Sequence, residues 1–183
     1  STGICFIGER PFQEFLSDYF NPNPGSIITV TGKKIGVHNG LMFYTLGQRQ
    51  GIGIGGRSDS NEKPWYVVEK DLQKNALVVA QGEHKTMYSN YIELENPFWI
   101  GDPPKGINSI NGIKCCAKIR YRQKDQKCNL IEIEKDKFIA KFEHLQRSVT
   151  PGQSAVFYKG ERCLGGAIID SANRKDINIS DVA

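Results

Sequence analysis

The chain has 183 residues and a formal net charge of +4 at pH 7. Its hydrophobic content of 39% and charged content of 24% are those of an ordinary globular protein, which excludes a disordered or fibrous chain. No apolar run approaches the roughly 18 residues of a membrane-spanning helix, and no signal peptide is recognisable. We therefore predict a cytoplasmic protein with no membrane partner. The mildly basic balance permits a polyanionic partner without requiring one.

The cysteines are odd in number and irregularly spaced, and a reducing compartment suits them best. They form no C-x-x-C pair and no cluster with histidine, so we predict no structural zinc or other metal site. The five are Cys5, Cys115, Cys116, Cys128 and Cys163.

The first ten residues place Cys5 between apolar neighbours, with a glycine on either side and Arg10 behind it. Glycines let the backbone turn sharply and let another molecule approach the sulfur. Arg10 could help to hold a thiolate, the nucleophilic form of cysteine. A small buried hydrophobe is the commoner fate of such a cysteine, so Cys5 is only a candidate. Because the chain begins with Ser1 inside this candidate loop, we expect a piece of a longer protein.

Along the chain, a short helix is predicted first, from Pro11 to Phe20, because proline suits the first helical position. Its apolar residues recur at helical spacing and are predicted to pack in the core; they are Phe12, Phe15, Leu16 and Tyr19. Strand-like segments separated by turn residues follow, at 26–30, 33–38, 41–46, 65–70 and 76–80.

A stretch rich in proline and glycine at 96–106 predicts a domain boundary. Beyond it, short strands without a helical period predict a β-barrel, at 112–122, 129–134, 138–143, 154–158 and 162–170. The predicted fold is mainly β, with two small β-barrel-like domains and a short N-terminal helix. The predicted divisions are a cysteine loop with the helix (1–25), a central β-rich domain (26–97), a C-terminal β-barrel (98–172) and a tail (173–183).

Gly51, Gly53 and Gly56 match the G-x-G-x-x-G pattern of dinucleotide sites. Such a site needs a helix directly after the glycines, with its N-terminus at the pyrophosphate. The residues at 57–64 are polar and turn-prone instead, so we reject a nucleotide site. Two interpretations of this segment remain open. It is either a loop that carries Arg49 and Arg57 close to RNA or a protein, or a plain surface loop.

Alternation along 113–122 places four cations on one strand face, and such a stripe suits phosphates. They are Lys114, Lys118, Arg120 and Arg122. Tyr121 could stack its ring on a base at the strand end, although strict alternation directs it inward. A solvated basic face is an equally good interpretation of a lone strand. The turn that ends at Gln153 is a weak pattern that presents an amide at its rim.

Six motifs run along nearly the whole chain: 1–10 (STGICFIGER), 44–49 (YTLGQR), 64–68 (PWYVV), 120–123 (RYRQ), 150–158 (TPGQSAVFY) and 163–166 (CLGG). In this order they resemble the C-terminal half of the bacterial tRNA 2-thiouridylase (MnmA/TrmU) family. The resemblance implies an enzyme that replaces the C2 oxygen of the wobble uridine with sulfur in tRNAs for Lys, Glu and Gln. ATP, with Mg, adenylates that oxygen in an N-terminal domain that has no counterpart here. The chain alone is therefore expected to bind no cofactor and to be inactive.

The resemblance also assigns the candidate residues. Cys5 would accept sulfur as a persulfide from a sulfur-relay protein, and a cysteine of the missing domain would resolve the intermediate through a disulfide. Arg120, Tyr121 and Gln153 match positions that contact tRNA, and Lys118 and Arg122 are further tRNA-binding candidates. Besides tRNA and the relay protein, the family's own ATP-binding domain is an expected partner.

Two other functions remain open from the sequence. In a non-catalytic β-barrel RNA-binding module, Cys5 would be a buried hydrophobe that resists thiol reagents. A protein-interaction adaptor would show no salt-dependent RNA binding.

Overall fold

The computed structural model describes residues 12–54 and 63–173. The predictions for Cys5, Gly56, Arg57 and the tail from residue 174 lie outside the described residues. The chain divides between Glu83 and His84 into two compact units, each with its own buried core. In the part of the chain that is described, no helix has the length and apolar content needed to cross a membrane.

In the described residues, the first unit contains helix α1, which is followed by a four-stranded sheet. Strands β1 and β4 run parallel, and the outer pairs β1–β2 and β3–β4 are antiparallel, giving the order β2-β1-β4-β3. The elements are α1 (Phe12–Ser17), β1 (Gly25–Thr29), β2 (Lys34–His38), β3 (Trp65–Asp71) and β4 (Ala76–Gln81).

Helix α1 ends at Ser17, earlier than predicted, because the next residues form a turn that is hydrogen-bonded back to the helix. Tyr19 and Phe20 both donate their backbone N–H to the carbonyl of Leu16. Leu16 packs against the core of the unit as predicted, but the Tyr19 side chain is 68% exposed. The predicted core role of Tyr19 is therefore wrong.

The strand predicted at 41–46 is also wrong. A 3-10 turn, Leu41–Phe43, follows Gly40. Leu41, Phe43 and Tyr44 are all buried in the core of the unit, so apolar side chains follow one another on the same side. A strand would send neighbouring residues to opposite faces, whereas a tight turn buries all three.

The second unit is a closed antiparallel barrel, in which six strands are described. The strands close in the order β10-β5-β8-β7-β6-β9. They are β5 (Tyr88–Trp99), β6 (Ile113–Lys118), β7 (Gln126–Glu134), β8 (Lys137–Arg147), β9 (Ser154–Lys159) and β10 (Arg162–Asn173). The predicted fold class, mainly β with a short N-terminal helix, is confirmed.

Large and small side chains alternate inside this barrel. Phe157, Ala117 and Ala140 are completely buried, and the Trp99 ring lies edge-on to Phe138 with 5.7 Å between centroids. Each large apolar side chain buried in this way contributes about 1.5–3 kcal/mol. The barrel interior is thus a filled core, so a partner can contact the barrel only at its outer face or its ends.

The predicted domain boundary at residue 97 falls inside β5. Glu95 lies opposite Ile168 and Phe98 opposite Gly166, so Asn96 and Pro97 together face a single residue of β10. Proline has no N–H to donate and is tolerated in a sheet at such a bulge. Pro97 therefore lies within a continuous strand and does not mark the division, which lies between Glu83 and His84.

Candidate nucleic-acid interface

Two connections of the barrel meet at one of its ends. Strand β6 ends at Lys118 and a turn leads into β7, while β8 ends at Arg147 and a loop leads into β9. The Arg120 guanidinium joins them, because its Nη2 donates to the carbonyl of Ser148 at 2.9 Å. We call this end the basic rim and define it as residues 118–125 and 147–153.

The basic rim is strongly cationic. It holds five basic side chains and one acidic side chain, that of Asp125. The cations are Lys118, Arg120, Arg122, Lys124 and Arg147. A cationic surface of this density attracts a polyanion and speeds its approach.

Lys118 is held at the outer side of the rim. Its Nζ lies 3.2 Å from the Asp125 carboxylate and 5.1 Å from the centroid of the Tyr158 ring. Both groups of the ion pair are partly exposed, so the pair is worth less than about 1 kcal/mol and can be exchanged for a phosphate.

Arg120 is in a more demanding environment. Partial burial, and to a lesser extent the charge of Arg147, lower the pKa of Arg120 from its ordinary value. An arginine stays protonated all the same, so Arg120 and Arg147 contribute two neighbouring positive charges to the rim. Arg147 is not among the residues predicted from the sequence, because the predicted strand ends at residue 143 whereas β8 continues to Arg147.

Tyr121 lies at the tip of the β6–β7 turn, and its side chain is 95% exposed. The inward direction that strict alternation implied is wrong, because β6 ends at Lys118 and Gln123 N–H donates to the carbonyl of Arg120 at 3.1 Å to close a turn. Alternation holds only as far as Ile119, which is buried. The whole ring is therefore available for stacking.

Gln153 lies in the other connection and is exposed. Gly152 adopts φ +83°, as the third position of a tight turn requires, and Gln153 N–H donates to the carbonyl of Thr150. The turn is tied to β10 by two backbone hydrogen bonds. The Ile169 N–H donates to the Gln153 carbonyl, and the Gly152 N–H donates to the Ile169 carbonyl. These bonds use the backbone of Gln153 and leave its side chain pointing outward.

The structure brings the predicted tRNA-binding residues to one rim. Thr150 Oγ1 donates to the Ser148 carbonyl at 3.1 Å, the same oxygen that Arg120 reaches. Arg122 is exposed on the turn that displays Tyr121. Lys114, the fourth cation of the predicted stripe, lies at the opposite end of β6 and does not belong to the rim.

The described cysteines are free thiols. Cys115 and Cys128 are buried opposite each other on β6 and β7, with 3.6 Å between their Sγ atoms. Hydrogen bonding between the two thiols lowers the pKa of Cys115 and raises that of Cys128. No group of three metal-ligating side chains occurs within 12–54 and 63–173.

Comparison with known proteins gives two consecutive family models. Residues 13–81 match the model described as tRNA methyl transferase PRC-barrel domain, and residues 89–169 match the one described as Aminomethyltransferase beta-barrel domain. The chain is thus a tandem of two β-rich modules, and each matched range lies within one of the two structural units.

Similar proteins extend over both modules. A protein named tRNA-specific 2-thiouridylase MnmA from Aeromonas hydrophila is 51% identical over 170 residues, which cover 93% of this chain and 45% of that protein. The protein of the same name from Psychrobacter arcticus is 53% identical over 175 residues, covering 93% of this chain and 43% of that protein. This chain belongs to the tRNA-specific 2-thiouridylase family. It spans less than half the length of these relatives.

Proposed function

We propose that this chain is the C-terminal, tRNA-docking part of a tRNA 2-thiouridylase, a cytoplasmic sulfurtransferase. The observation that carries the proposal is the basic rim, where Arg120, Arg122 and the Gln153 turn meet beside the exposed Tyr121 ring. Cations at the rim would bind phosphates, and the ring would stack on an unpaired base. Membership of a family whose curated members are named for acting on tRNA supports tRNA as the polyanion.

In this proposal Cys5 is the sulfur carrier. A sulfur-relay protein supplies sulfur to Cys5, which becomes a persulfide. The terminal sulfur of this persulfide attacks C2 of the wobble uridine after the oxygen on C2 has been adenylated. A second cysteine then attacks the Cys5 sulfur, which forms a disulfide, releases the sulfur onto C2 and lets AMP leave with the oxygen. The second cysteine and the ATP site belong to the remainder of the whole enzyme.

The glycine-rich segment up to residue 54 supports this division of roles, because it lacks the features of a phosphate-binding loop. Gly51 and Gly53 both have positive φ angles and lie in a series of turns, with no helix N-terminus to receive a phosphate up to residue 54, where the description of this segment ends. On this proposal the chain alone does not thiolate tRNA.

A salt titration of tRNA binding tests the docking role. Arg122→Ala should weaken binding to substrate tRNAs uniformly and reduce the slope of log K against log salt by about 0.7–0.9, because one phosphate contact is lost. Arg120→Ala should do the same, with an added loss from its bond to Ser148. The matched control is Lys135→Ala, an exposed cation of the β7–β8 turn at the other end of the barrel. Equal slopes in the wild type and in both arginine variants would show that tRNA docks elsewhere.

The carrier role needs a separate test in the whole enzyme. Cys5→Ser should abolish 2-thiouridine formation and leave tRNA affinity unchanged, because the hydroxyl cannot carry a persulfide. Cys163→Ser, at a half-buried thiol of the barrel, is the control and should retain turnover. Normal turnover in Cys5→Ser would show that Cys5 is not the sulfur carrier.

A further inference from the structure

A chain of three glutamine side chains lies beneath the β6–β7 turn. Gln123 Nε2 donates to Gln146 Oε1 at 2.8 Å, and Gln146 Nε2 donates to Gln126 Oε1 at 3.2 Å and to the His144 carbonyl at 2.9 Å. Gln146 is only 2% exposed. It is therefore a buried amide whose oxygen and nitrogen are both satisfied.

The two ends of the amide chain hold the turn at both sides. Gln123 Oε1 accepts from the backbone N–H of Ile119 at 2.9 Å, and Gln126 Nε2 donates to the carbonyl of Lys124 at 3.0 Å. The bonds run in one direction from Ile119 to Lys124, so each donor polarises the next. Ile119 N–H would otherwise lose its ladder partner where β6 ends.

The segment held in this way is the one that displays Arg120, Tyr121 and Arg122. An exposed turn of long side chains would normally be mobile, and ordering it on binding would weaken affinity. We propose that Gln146 is a positioning residue for RNA: through Gln123 and Gln126 it orders the β6–β7 turn before RNA arrives. This inference rests on the proposed tRNA-docking function.

The test uses Gln146→Met in the 183-residue chain, since methionine fills a similar volume without hydrogen-bonding to either neighbour. Affinity for a substrate tRNA should fall by about tenfold, the cost of ordering one or two side chains on binding. The salt slope should stay at the wild-type value, because every cation is retained. Hydrogen exchange at the Ile119 amide should accelerate.

A purely structural role predicts something different. Ile92→Val removes a methylene from the fully buried core of the barrel without touching the amide chain, and it should lower the melting temperature without changing tRNA affinity. Gln123→Ala, at a half-buried position on the turn, repeats the test if Gln146→Met does not fold. An affinity within twofold of wild type in the folded variant, or a loss equal to that of Ile92→Val at matched stability, would overturn the inference.

Arg122→Ala in the same assay separates the two proposals. If Arg122→Ala weakens binding and Gln146→Met does not, the positioning role is wrong and the docking function stands. If neither variant changes binding, or the wild type does not bind tRNA, the docking function is wrong and the inference is overturned with it.

Discussion

Ser148 shows how firmly the basic rim is held. It adopts φ +51°, a left-handed conformation that costs a non-glycine residue about 1–2 kcal/mol. Its N–H donates to the Met87 carbonyl, while its own carbonyl accepts from Arg120 and Thr150. Its hydroxyl is buried and has no hydrogen-bond partner among the described residues. Such strain persists only where surrounding contacts impose it, and it is concentrated at binding and catalytic sites.

Substitution of Tyr121 should affect tRNA affinity without affecting the stability of the fold. Because its side chain is 95% exposed, Tyr121→Ala should leave the melting temperature unchanged and cost about 1–3 kcal/mol of tRNA affinity through lost stacking. Tyr121→Phe should restore most of that affinity. Parallel binding and melting measurements check both statements.

Ile110 provides the control for Tyr121. Its side chain is 93% exposed, in the connection between β5 and β6 at the opposite end of the barrel. Ile110→Ala should alter neither quantity. A Tyr121→Ala variant that binds tRNA like the Ile110→Ala variant would remove stacking from the proposed function.

At the scale of elements, alternation predicts which side chains of a strand face the core better than it predicts where the strand ends. The inward positions of β6 are correctly predicted through Ile119. Its end is not predicted. Just beyond β6 the Ile119 N–H donates to the Gln123 side chain, which in turn donates to Gln146 of β8, and local alternation does not encode such a contact. Family motifs located the rim residues where alternation alone directed Tyr121 inward.

Irregular pairing explains the other missed boundaries. Strand β8 continues to Arg147 because its ladder with β5 resumes at Gln146, opposite Ser89, after a break in register. Strand β5 likewise passes through Pro97 at a bulge. The position of a bulge depends on how the strand pairs with a partner that is distant in sequence, so the local sequence does not predict it.

We expect His38 to make the stability of the first unit depend on pH. Its side chain is fully buried, and its Nε2 lies 3.1 Å from the carbonyl of Asn75, which can only accept, so Nε2 carries the proton of the neutral ring. Burial lowers the pKa of His38, against the smaller opposing effect of this hydrogen bond. As pH falls below the unfolded-state pKa of about 6.5, the unfolded chain takes up a proton that the folded chain does not.

Stability of the first unit should therefore fall with decreasing pH below about 6.5, by at most about 1.4 kcal/mol per pH unit, until the lowered pKa is reached. His38→Gln should remove this contribution. The measurement is the free energy of unfolding as a function of pH, and the slope of this dependence is compared between the wild type and His38→Gln. Identical slopes would show that His38 titrates alike in the folded and unfolded states.

At the scale of the whole molecule, the buried cores respect the division between Glu83 and His84. One cluster is drawn from the first unit, including Ile27 and Leu77, and the other from the barrel, including Leu130 and Phe157. We therefore expect residues 84–173 to fold as a separate chain with a cooperative thermal transition.

That isolated barrel should bind tRNA, and Arg122→Ala within it should lower the salt slope by the same amount as in the 183-residue chain. Circular dichroism on heating and the salt titration provide the two measurements. A barrel that melts without cooperativity would show that its core depends on the first unit. A folded barrel that does not bind tRNA would place essential contacts in the first unit.

Closure of the barrel limits the ways in which other proteins can join it. Each of its six described strands is paired on both sides, so none offers a row of unpaired backbone N–H and C=O groups. A peptide therefore cannot extend this sheet by β-augmentation, and neighbouring copies cannot aggregate through its edges. Any protein that binds the barrel must recognise side chains, and at the basic rim it would use the same arginines that we propose for RNA.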